Sequence, residues 1–540
     1  MLRLANSKPV PGIKSNAIWN CAGSLADAAI AFAILPFVVN TLGETSYGLW
    51  ALVASLTGCF GMLDLGVRGA LGRQLAFHLA RRDSQSIAAT MSTAVALLCA
   101  ACAITFVGVM GLQWLFFRMF EVAPEHVLAV RVSLLLAGLN LALTFPISAF
   151  DATLWAAQRF DRLNQIDISV SILKATLMWL LLTTANGLVL IPLITLTGLV
   201  FAGVLKVINT RLAYGCLPIR LRSANRAALS DIFGFGLWNF VRSLAGQAIM
   251  RVPPVAIGAF VSPAAVTPYA VADRLLTFSN AFFQAATGVF TPRSAAYAAL
   301  SDSGRQVGLL LRGGRWCWAL ALFSSLGFCF FGRPFIALWL GPQHQMTAWY
   351  LAILAIGAIV PLSQSLTCSV LLGIARHQFL AIIAVAQAVV GVTLAVVAAK
   401  YFGPLAVCAA MASVAVVAGL GQAWHGCRAL RVRLRDYAAR AVLPAVATCL
   451  VPAIVGTAAI WAGAPHRLLG FAPWLSAYCL LFGLGFYCTC MRPFGFPAPG
   501  LRDEQATAEG LVCLVGARED PASGQLEIGL PEAALDVDSL

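Results

Sequence analysis

Charged residues are scarce in this sequence, and that scarcity excludes a soluble protein. Asp, Glu, Lys and Arg make up 11% of the 540 residues, whereas 60% are hydrophobic. A soluble domain carries about 25% charged residues, and a core of this size could not absorb so much apolar side chain. Apolar runs of about 20 residues, long enough to cross a bilayer as a helix, recur along the chain. We therefore predict an all-α polytopic membrane protein.

Sequence signatures of enzymes are missing as well. The chain has no P-loop, no G-x-S-x-G and no H-E-x-x-H pattern, and its six His are isolated from one another. The fifteen Cys lie mostly in apolar runs, where cysteine acts as a small hydrophobe. Cys99 and Cys102 form a C-x-x-C that has no His or acidic neighbour. We predict that the protein is not an enzyme and needs no cofactor or metal, with coupling to a proton or sodium gradient left open.

Acidic residues are outnumbered by basic ones, which gives a net charge of +14. The Arg residues lie in short loops between apolar runs, and there is no basic domain with aromatic residues that could stack bases. This distribution excludes nucleic acid as a partner. It is typical of the positive charge that sets membrane topology.

The alternation of loop charge predicts the orientation. About fourteen spans fit the apolar runs, beginning with about 16–40 and about 47–69; twelve is the alternative, because the last two runs are rich in Gly and Pro. The loops on one side, such as Ala70–Ser86, hold most of the Lys and Arg. The loops on the other side hold only Arg118, Arg333, Lys400 and Arg467. The positive-inside rule then places both termini in the cytoplasm.

A weak internal repeat divides the chain into two halves. Ile18-Trp19-Asn20 opens the first span, and Leu237-Trp238-Asn239 lies early in the seventh. Six spans in each half is an even number, so we predict that the two halves share one orientation in the membrane. The predicted boundaries are an N-terminal bundle at 1–210, a cytoplasmic linker at 211–230, a C-terminal bundle at 231–425, two additional helices at 426–490, and an acidic, disordered cytoplasmic tail at 491–540.

Ionisable residues inside apolar runs are the candidates for function, because at mid-membrane they cost several kcal/mol unless they face a cavity or a partner. At about 1.5 Å per residue, four of them lie near the midplane. They are Asp27, Arg242, Asp273 and Arg274. Lys174 lies nearer the cytoplasm, and Arg251 lies in the outer third beside a Pro-Pro pair.

Two interpretations of these charges remain open. In the first, Arg242, Arg274, Arg251 and Lys174 line a cationic cavity that binds an anionic headgroup such as a pyrophosphate, which the planar fork of Arg suits. The acids Asp27 and Asp273 would then take up a coupling proton or cation. In the second, the acids form ion pairs with the cations and hold helices together.

Asp64 and Arg68 are four residues apart with the acid first, so they share one helix face in the favourable order. They lie near the cytoplasmic end of the second span, where they are either a gate or a structural pair at a helix end. Lys206, Asp151 and Arg131 lie near span ends, and we expect their side chains to reach out to the membrane surface.

Several short stretches resemble a known family. They are Leu42-Gly43, Tyr47-Gly48-Leu49-Trp50 and Leu63-Asp64-Leu65-Gly66, together with ALWLG at Ala337–Gly341 and AAQRFDRLN after the fourth span. This text resembles the polysaccharide transport family of the multidrug/oligosaccharidyl-lipid/polysaccharide flippase superfamily. The motifs are scattered over about 16–425, and none of them fixes a functional residue.

The resemblance implies two six-helix bundles around a central cavity that work by alternating access. It implies export of polyprenyl-pyrophosphate-linked oligosaccharide units across a bacterial inner membrane for O-antigen, capsule or exopolysaccharide assembly. The implied partners are the lipid-linked substrate, membrane lipids, a polysaccharide polymerase and a chain-length regulator. An ion-coupled multidrug exporter of the same superfamily is one alternative, although buried acids should dominate a site for cationic drugs. A membrane polysaccharide polymerase or glycosyltransferase is the other, although the loops here are short for a catalytic domain.

Overall fold

The computed structural model of the chain is helical over most of its length. It describes residues 13–64, 67–81, 83–214, 237–288, 290–300, 302–374, 376–461, 468–491, 517–519 and 526–528. Most of the predicted linker at 211–230 and of the predicted tail at 491–540 lies outside these ranges. The part of the linker that is described, Arg211–Tyr214, continues the preceding helix.

Six helices form the N-terminal half. They are α1 (Ile13–Cys59), α2 (Val67–Ala80), α3 (Ser84–Met119), α4 (Pro124–Ala156), α5 (Phe160–Leu181) and α6 (Gly187–Tyr214), with a short 3₁₀ turn at Phe60–Asp64. The basic segment that we expected to be a loop, Ala70–Ser86, is therefore helical up to Ala80. Asp83 caps α3 by accepting from the backbone N–H groups of the next turn. The Ser86 hydroxyl bonded to its carboxylate lowers the pKa of Asp83.

The C-terminal half follows the same alternation of apolar helices and short connections. Its helices are α7 (Leu237–Phe260), α8 (Pro263–Gly288), α9 (Phe290–Ala299), α10 (Ser303–Trp339), α11 (Gln345–Ser363), α12 (Ser365–Gly373), α13 (His377–Tyr401) and α14 (Pro404–Ala429). Two further membrane helices are α16 (Leu443–Trp461) and α17 (Leu468–Phe486), preceded by the single turn α15 (Leu434–Tyr437). In the acidic tail, β1 (Ala517–Glu519) pairs antiparallel with β2 (Leu526–Ile528).

Ten helical stretches of the described chain are long and apolar enough to cross a membrane. The first, Ala22–Leu79, has 58 residues, which is long enough for two crossings of a hydrocarbon core about 30 Å thick. Three helices of 22 to 26 residues, α5, α7 and α8, carry ionisable residues inside and are not among the ten. The multi-pass helical fold is therefore confirmed, while the count of fourteen spans stays a prediction.

Gly43 breaks α1 at the predicted first turn. Its φ of 74° and ψ of 170° interrupt the helix in a backbone region that favours glycine. The break lies at one end of the bundle, together with several connections between helices. Leu42 belongs to a buried cluster with Phe120 and Leu340, and it packs on Gly187. We call this the Gly43 end. The opposite, arginine-rich end is defined by the connections that carry Arg81, Arg159, Arg376 and Arg431.

A buried polar cluster ties the last helices to the C-terminal half. The indole N–H of Trp318 donates to the hydroxyl of Tyr437 (3.1 Å), and Nε2 of Gln364 donates to the same hydroxyl (3.3 Å). The Thr367 hydroxyl donates to Oε1 of Gln364 (2.8 Å). Gln364 lies at the break between α11 and α12. This cluster therefore links α10, the broken helix and the entry to α16.

Candidate functional site

The two halves are closed against each other at the Gly43 end. Gly48 of α1 lies against the backbone of α8, since a Cβ there would be 1.9 Å from the carbonyl oxygen of Pro263. Next to it, the Thr267 hydroxyl donates to the backbone carbonyl of Glu44 (2.6 Å). Phe32 stacks on Trp339 of α10 with ring centroids 4.7 Å apart. These contacts leave no path between the halves at the positions they occupy.

Arg251 bridges the halves at mid-depth. It lies nine residues from the end of α7 at Phe260, which is about 14 Å from the Gly43 end and so deeper than the outer third we predicted. Its Nη1 donates to the carbonyl oxygen of Ala54 in α1 (3.5 Å), and its Nε donates to Gln247 (3.3 Å). Gly58 makes room for the guanidinium, because a Cβ there would be 2.6 Å from its Cζ. A cation of the C-terminal half therefore reaches the backbone of the N-terminal half.

Asp273 and Arg274 lie at the same depth, ten residues into α8 or about 15 Å. The charges of Arg274 and Arg251 both act on the Asp273 carboxyl, which is half-buried, whereas Arg274 is exposed and lies over the ring of Phe278 (5.3 Å). No ion pair joins Asp273 or Arg274 to another residue in the described ranges. Two cations and one acid of the predicted set thus share one level of the bundle.

A cavity of about 390 Å³ lies between the halves toward the arginine-rich end. The 3₁₀ turn, α2 and α4 of the N-terminal half line it, and the start of α7 completes it from the C-terminal half. Its lining residues are Gly61, Met62, Asp64, Arg68, Gly69, Gly72, Ala152, Trp155, Phe240 and Ser243. The molecule is therefore closed at the Gly43 end and hollow nearer the opposite end.

The predicted gate pair lines this cavity, although its contacts differ from those expected. Asp64 accepts from the backbone N–H of Arg68, as a residue at a helix start does. The guanidinium of Arg68 instead approaches the carboxylate of Asp151 on α4 (Nη2–Oδ2, 3.7 Å). The side chain of Arg68 is 58% exposed, so it remains free to turn into the cavity.

Asp27, Lys174 and Arg242 lie outside both the mid-depth group of Arg251, Asp273 and Arg274 and the lining of the cavity. Asp27 is exposed, forms no ion pair with the described residues, and accepts a hydrogen bond from Ser171 of α5 (2.5 Å). The stem of Lys174 packs on α6, since a Cβ at Gly198 would be 2.9 Å from its Cγ. Arg242 is exposed, and its charge acts on Cys368 of α12. Asp27 and Arg242 lie about 24 Å and 27 Å from the Gly43 end, nearer the arginine-rich end than predicted.

The expectation that Lys206 and Asp151 reach the membrane surface is wrong. Lys206 is 7% exposed, and its Nζ lies 2.7 Å from Oδ1 of Asp151 and 2.9 Å from Oδ1 of Asp167. The network joins α4, α5 and α6, and Arg68 extends it to α2. Sequence alone placed each residue near the end of its own span, and the convergence of three helices was not visible in it.

Comparison with known proteins agrees with this architecture. The model of a family described as "Polysaccharide biosynthesis protein" matches residues 13–297. "Uncharacterized membrane protein EpsK" of Bacillus subtilis (strain 168) is 21% identical over 349 residues, which are 64% of this chain and 68% of that protein.

Two solved structures share the fold. Lipid II flippase MurJ, in an inward closed conformation, has a TM-score of 0.67 at 12% identity over 89% of this chain and 100% of its own. A multidrug resistance MATE family transporter of the MOP superfamily, in an inward-facing conformation, has a TM-score of 0.66 at 16% identity over 77% of this chain and 98% of its own.

Proposed function

The chain belongs to the polysaccharide biosynthesis protein family, and from that premise we propose that it is a flippase for polyprenyl-pyrophosphate-linked oligosaccharides. The family match confirms the resemblance that the YGLW and LDLG motifs carry, and the chain shares its fold with a lipid II flippase and with a MATE transporter. The lipid-linked units would cross the bacterial inner membrane by alternating access and serve O-antigen, capsule or exopolysaccharide assembly.

The position of Arg251 is the observation that carries this proposal. An anionic headgroup that crosses a bilayer needs positive charge at mid-depth between the moving halves. A guanidinium has five N–H donors in a planar fork that matches phosphate oxygens, and the hydrogen bonds of Arg251 to Gln247 and Ala54 use two of them. The remaining donors suit a pyrophosphate. Arg274 adds a second cation at the same depth, and Arg68 adds a third in the cavity, nearer the arginine-rich end.

The asymmetry of the ends supports a direction. We propose that the arginine-rich end is cytoplasmic, with both termini, in accordance with the positive-inside rule. The cavity would then admit the headgroup from the cytoplasmic leaflet while the Gly43 end is closed. Arg68 would exchange its contact with Asp151 for the substrate, and Arg251 would receive the pyrophosphate as the halves rock. Membrane lipids would surround the acyl chain, and a polymerase and a chain-length regulator would act on the delivered units.

A gene deletion tests the function. We expect complete lipid-linked repeat units to accumulate on the cytoplasmic leaflet, with polymer export restored by the wild-type gene. Truncated sugars would instead identify a glycosyltransferase. Normal sugars with altered drug tolerance would identify an ion-coupled multidrug exporter, which the shared MATE fold keeps as the second candidate.

Variants in the restored strain test the site. Arg251→Ala should abolish polymer export while the protein stays in the membrane. Arg251→Lys should retain charge but lose at least about tenfold in export rate, because the bidentate fork is gone. Arg118→Ala is the matched control, since that guanidinium stacks on Trp114 at the Gly43 end (3.9 Å) and should not affect export. Normal export by Arg251→Ala would refute the role of the mid-depth cation.

A further inference from the structure

We propose that His344 binds a proton and thereby latches the two halves together at the Gly43 end. The inference rests on the alternating access proposed above but concerns a different place in the molecule. His344 ends a short 3₁₀ turn between α10 and α11, in the C-terminal half, and is 5% exposed. Its ring lies against α1 of the N-terminal half, on both sides of the Gly43 break.

Both ring nitrogens face oxygen atoms of α1. Nδ1 lies 3.2 Å from Oε1 of Glu44, and Nε2 lies 3.3 Å from Oδ1 of Asn40. A carboxylate oxygen can only accept, so Nδ1 must carry a proton to bond with Glu44. Whether Nε2 must also carry one depends on which atom Asn40 presents.

Gln343 fixes the orientation of Asn40. Its Nε2 donates to the backbone carbonyl of Leu340 (3.3 Å), which has no proton to give in return. The same Nε2 lies 3.3 Å from the Asn40 side chain, so the Asn40 atom there must be the carbonyl Oδ1. Turning the Asn40 amide over would place two donors against each other. Nε2 of His344 therefore also faces an acceptor, and the full set of bonds requires the doubly protonated ring.

Within the described ranges, no Lys or Arg forms an ion pair with the Glu44 carboxylate. From α11, Thr347 follows one turn after His344, and the hydroxyl of Tyr350 lies within the field of the Glu44 carboxylate. From α8, Thr267 donates to the backbone of Glu44 rather than to its side chain. The Glu44 carboxylate is thus the negative charge that the protonated ring neutralises.

The latch couples closure to proton supply at one face of the membrane. Histidine is the side chain that ordinarily changes charge between pH 5 and 8. With the proton, His344 bridges the halves; without it, one nitrogen opposes an oxygen lone pair and the bridge weakens. Opening at the Gly43 end then requires loss of a proton, and low pH at that face favours the closed form.

Distance measurements on the purified full-length protein in nanodiscs, without substrate, test the latch. The spin labels are placed at Glu121 and Phe402, one exposed position in each half at the Gly43 end. They are introduced as genetically encoded amino acids, so the native cysteines need not be removed. In the wild type we expect one short distance at pH 6 and a growing longer population at pH 8. His344→Gln should show the longer population at both pH values. His344→Lys, which keeps the charge, should hold the short distance at pH 8.

His126→Gln is the matched control, because that histidine forms a local pair with Glu125 (3.6 Å) at the same end but within one half. It should respond to pH as the wild type does. Glu44→Gln should abolish the response from the other side of the bridge. A pH-independent distance in the wild type, or an unchanged pH response in His344→Gln and Glu44→Gln, would overturn the latch. Either result leaves the flippase proposal standing, since that is decided by lipid accumulation in the deletion strain.

Discussion

Lys206→Met should destabilise the N-terminal half strongly, because it removes the cation from a buried network. The side chains of Lys206 and Asp151 are 9% and 12% exposed, whereas Asp167 is 56% exposed and can return to solvent. Breaking a buried pair from one side costs about 3–5 kcal/mol, since the partner stays buried and charged. Arg68 still approaches Asp151 at 3.7 Å, which favours the lower figure. We expect a loss of about 3 kcal/mol, or roughly 150-fold in the folding equilibrium.

The loss of unfolding free energy can be measured by reversible unfolding in bicelles, with the folded fraction as the readout. Lys206→Met with Asp151→Leu should recover most of it, because an apolar pair of similar volume replaces the ion pair without an orphaned charge. Lys174→Met is the control for losing a lysine in a membrane helix; its stem packs on Gly198, and it should cost less than about 1 kcal/mol. A single variant within about 0.5 kcal/mol of the wild type, or a double variant no better than the single one, would refute the reasoning.

Two further substitutions probe contacts between elements. Gly48→Ala places a Cβ 1.9 Å from the Pro263 carbonyl oxygen, so it should separate the halves at the Gly43 end and lengthen the spin-label distance at pH 6. Gly69→Ala is the control: its Cβ would have no atom within 4 Å, and the distance should not change. Tyr437→Phe removes the hydroxyl shared by two buried donors and should cost about 1–3 kcal/mol in the same unfolding assay, while Tyr401→Phe, at a 67% exposed position, should be neutral.

Some turns and the depths of Asp273 and Arg274 were predictable, because both follow from distance along one helix, whereas Asp27, Arg242 and Arg251 lie at other depths than predicted. The break at Gly43 and the connection at Asn186–Gly187 lie where a polar or glycine-containing segment of the sequence interrupts the apolar runs. The depth of Asp273 follows from ten residues of α8.

Contacts between helices were not predictable, because a single sequence gives neither the rotation of a helix nor its neighbours. Lys206 meets Asp151 and Asp167 through tertiary packing, and nothing in the apolar pattern around each residue indicates the others. His344 was one of six isolated histidines, and its partners lie about 300 positions earlier in the chain. The sequence does show acidic and basic residues on separate spans, but it does not determine which acid pairs with which base.

The cluster around Tyr437 has a consequence for how this architecture could have grown. A pair of helices added to a twelve-helix transporter is easily imagined as an appendage that can be lost again. Here the chain entering that pair supplies the acceptor for Trp318 and the partner for Gln364, both inside the C-terminal half. Truncation before Leu434 would remove the acceptor of the Trp318 indole N–H and one of the two acceptors of Gln364 Nε2, at buried positions of the C-terminal half. The chain that leads into the two added helices is therefore part of the polar packing of the C-terminal half.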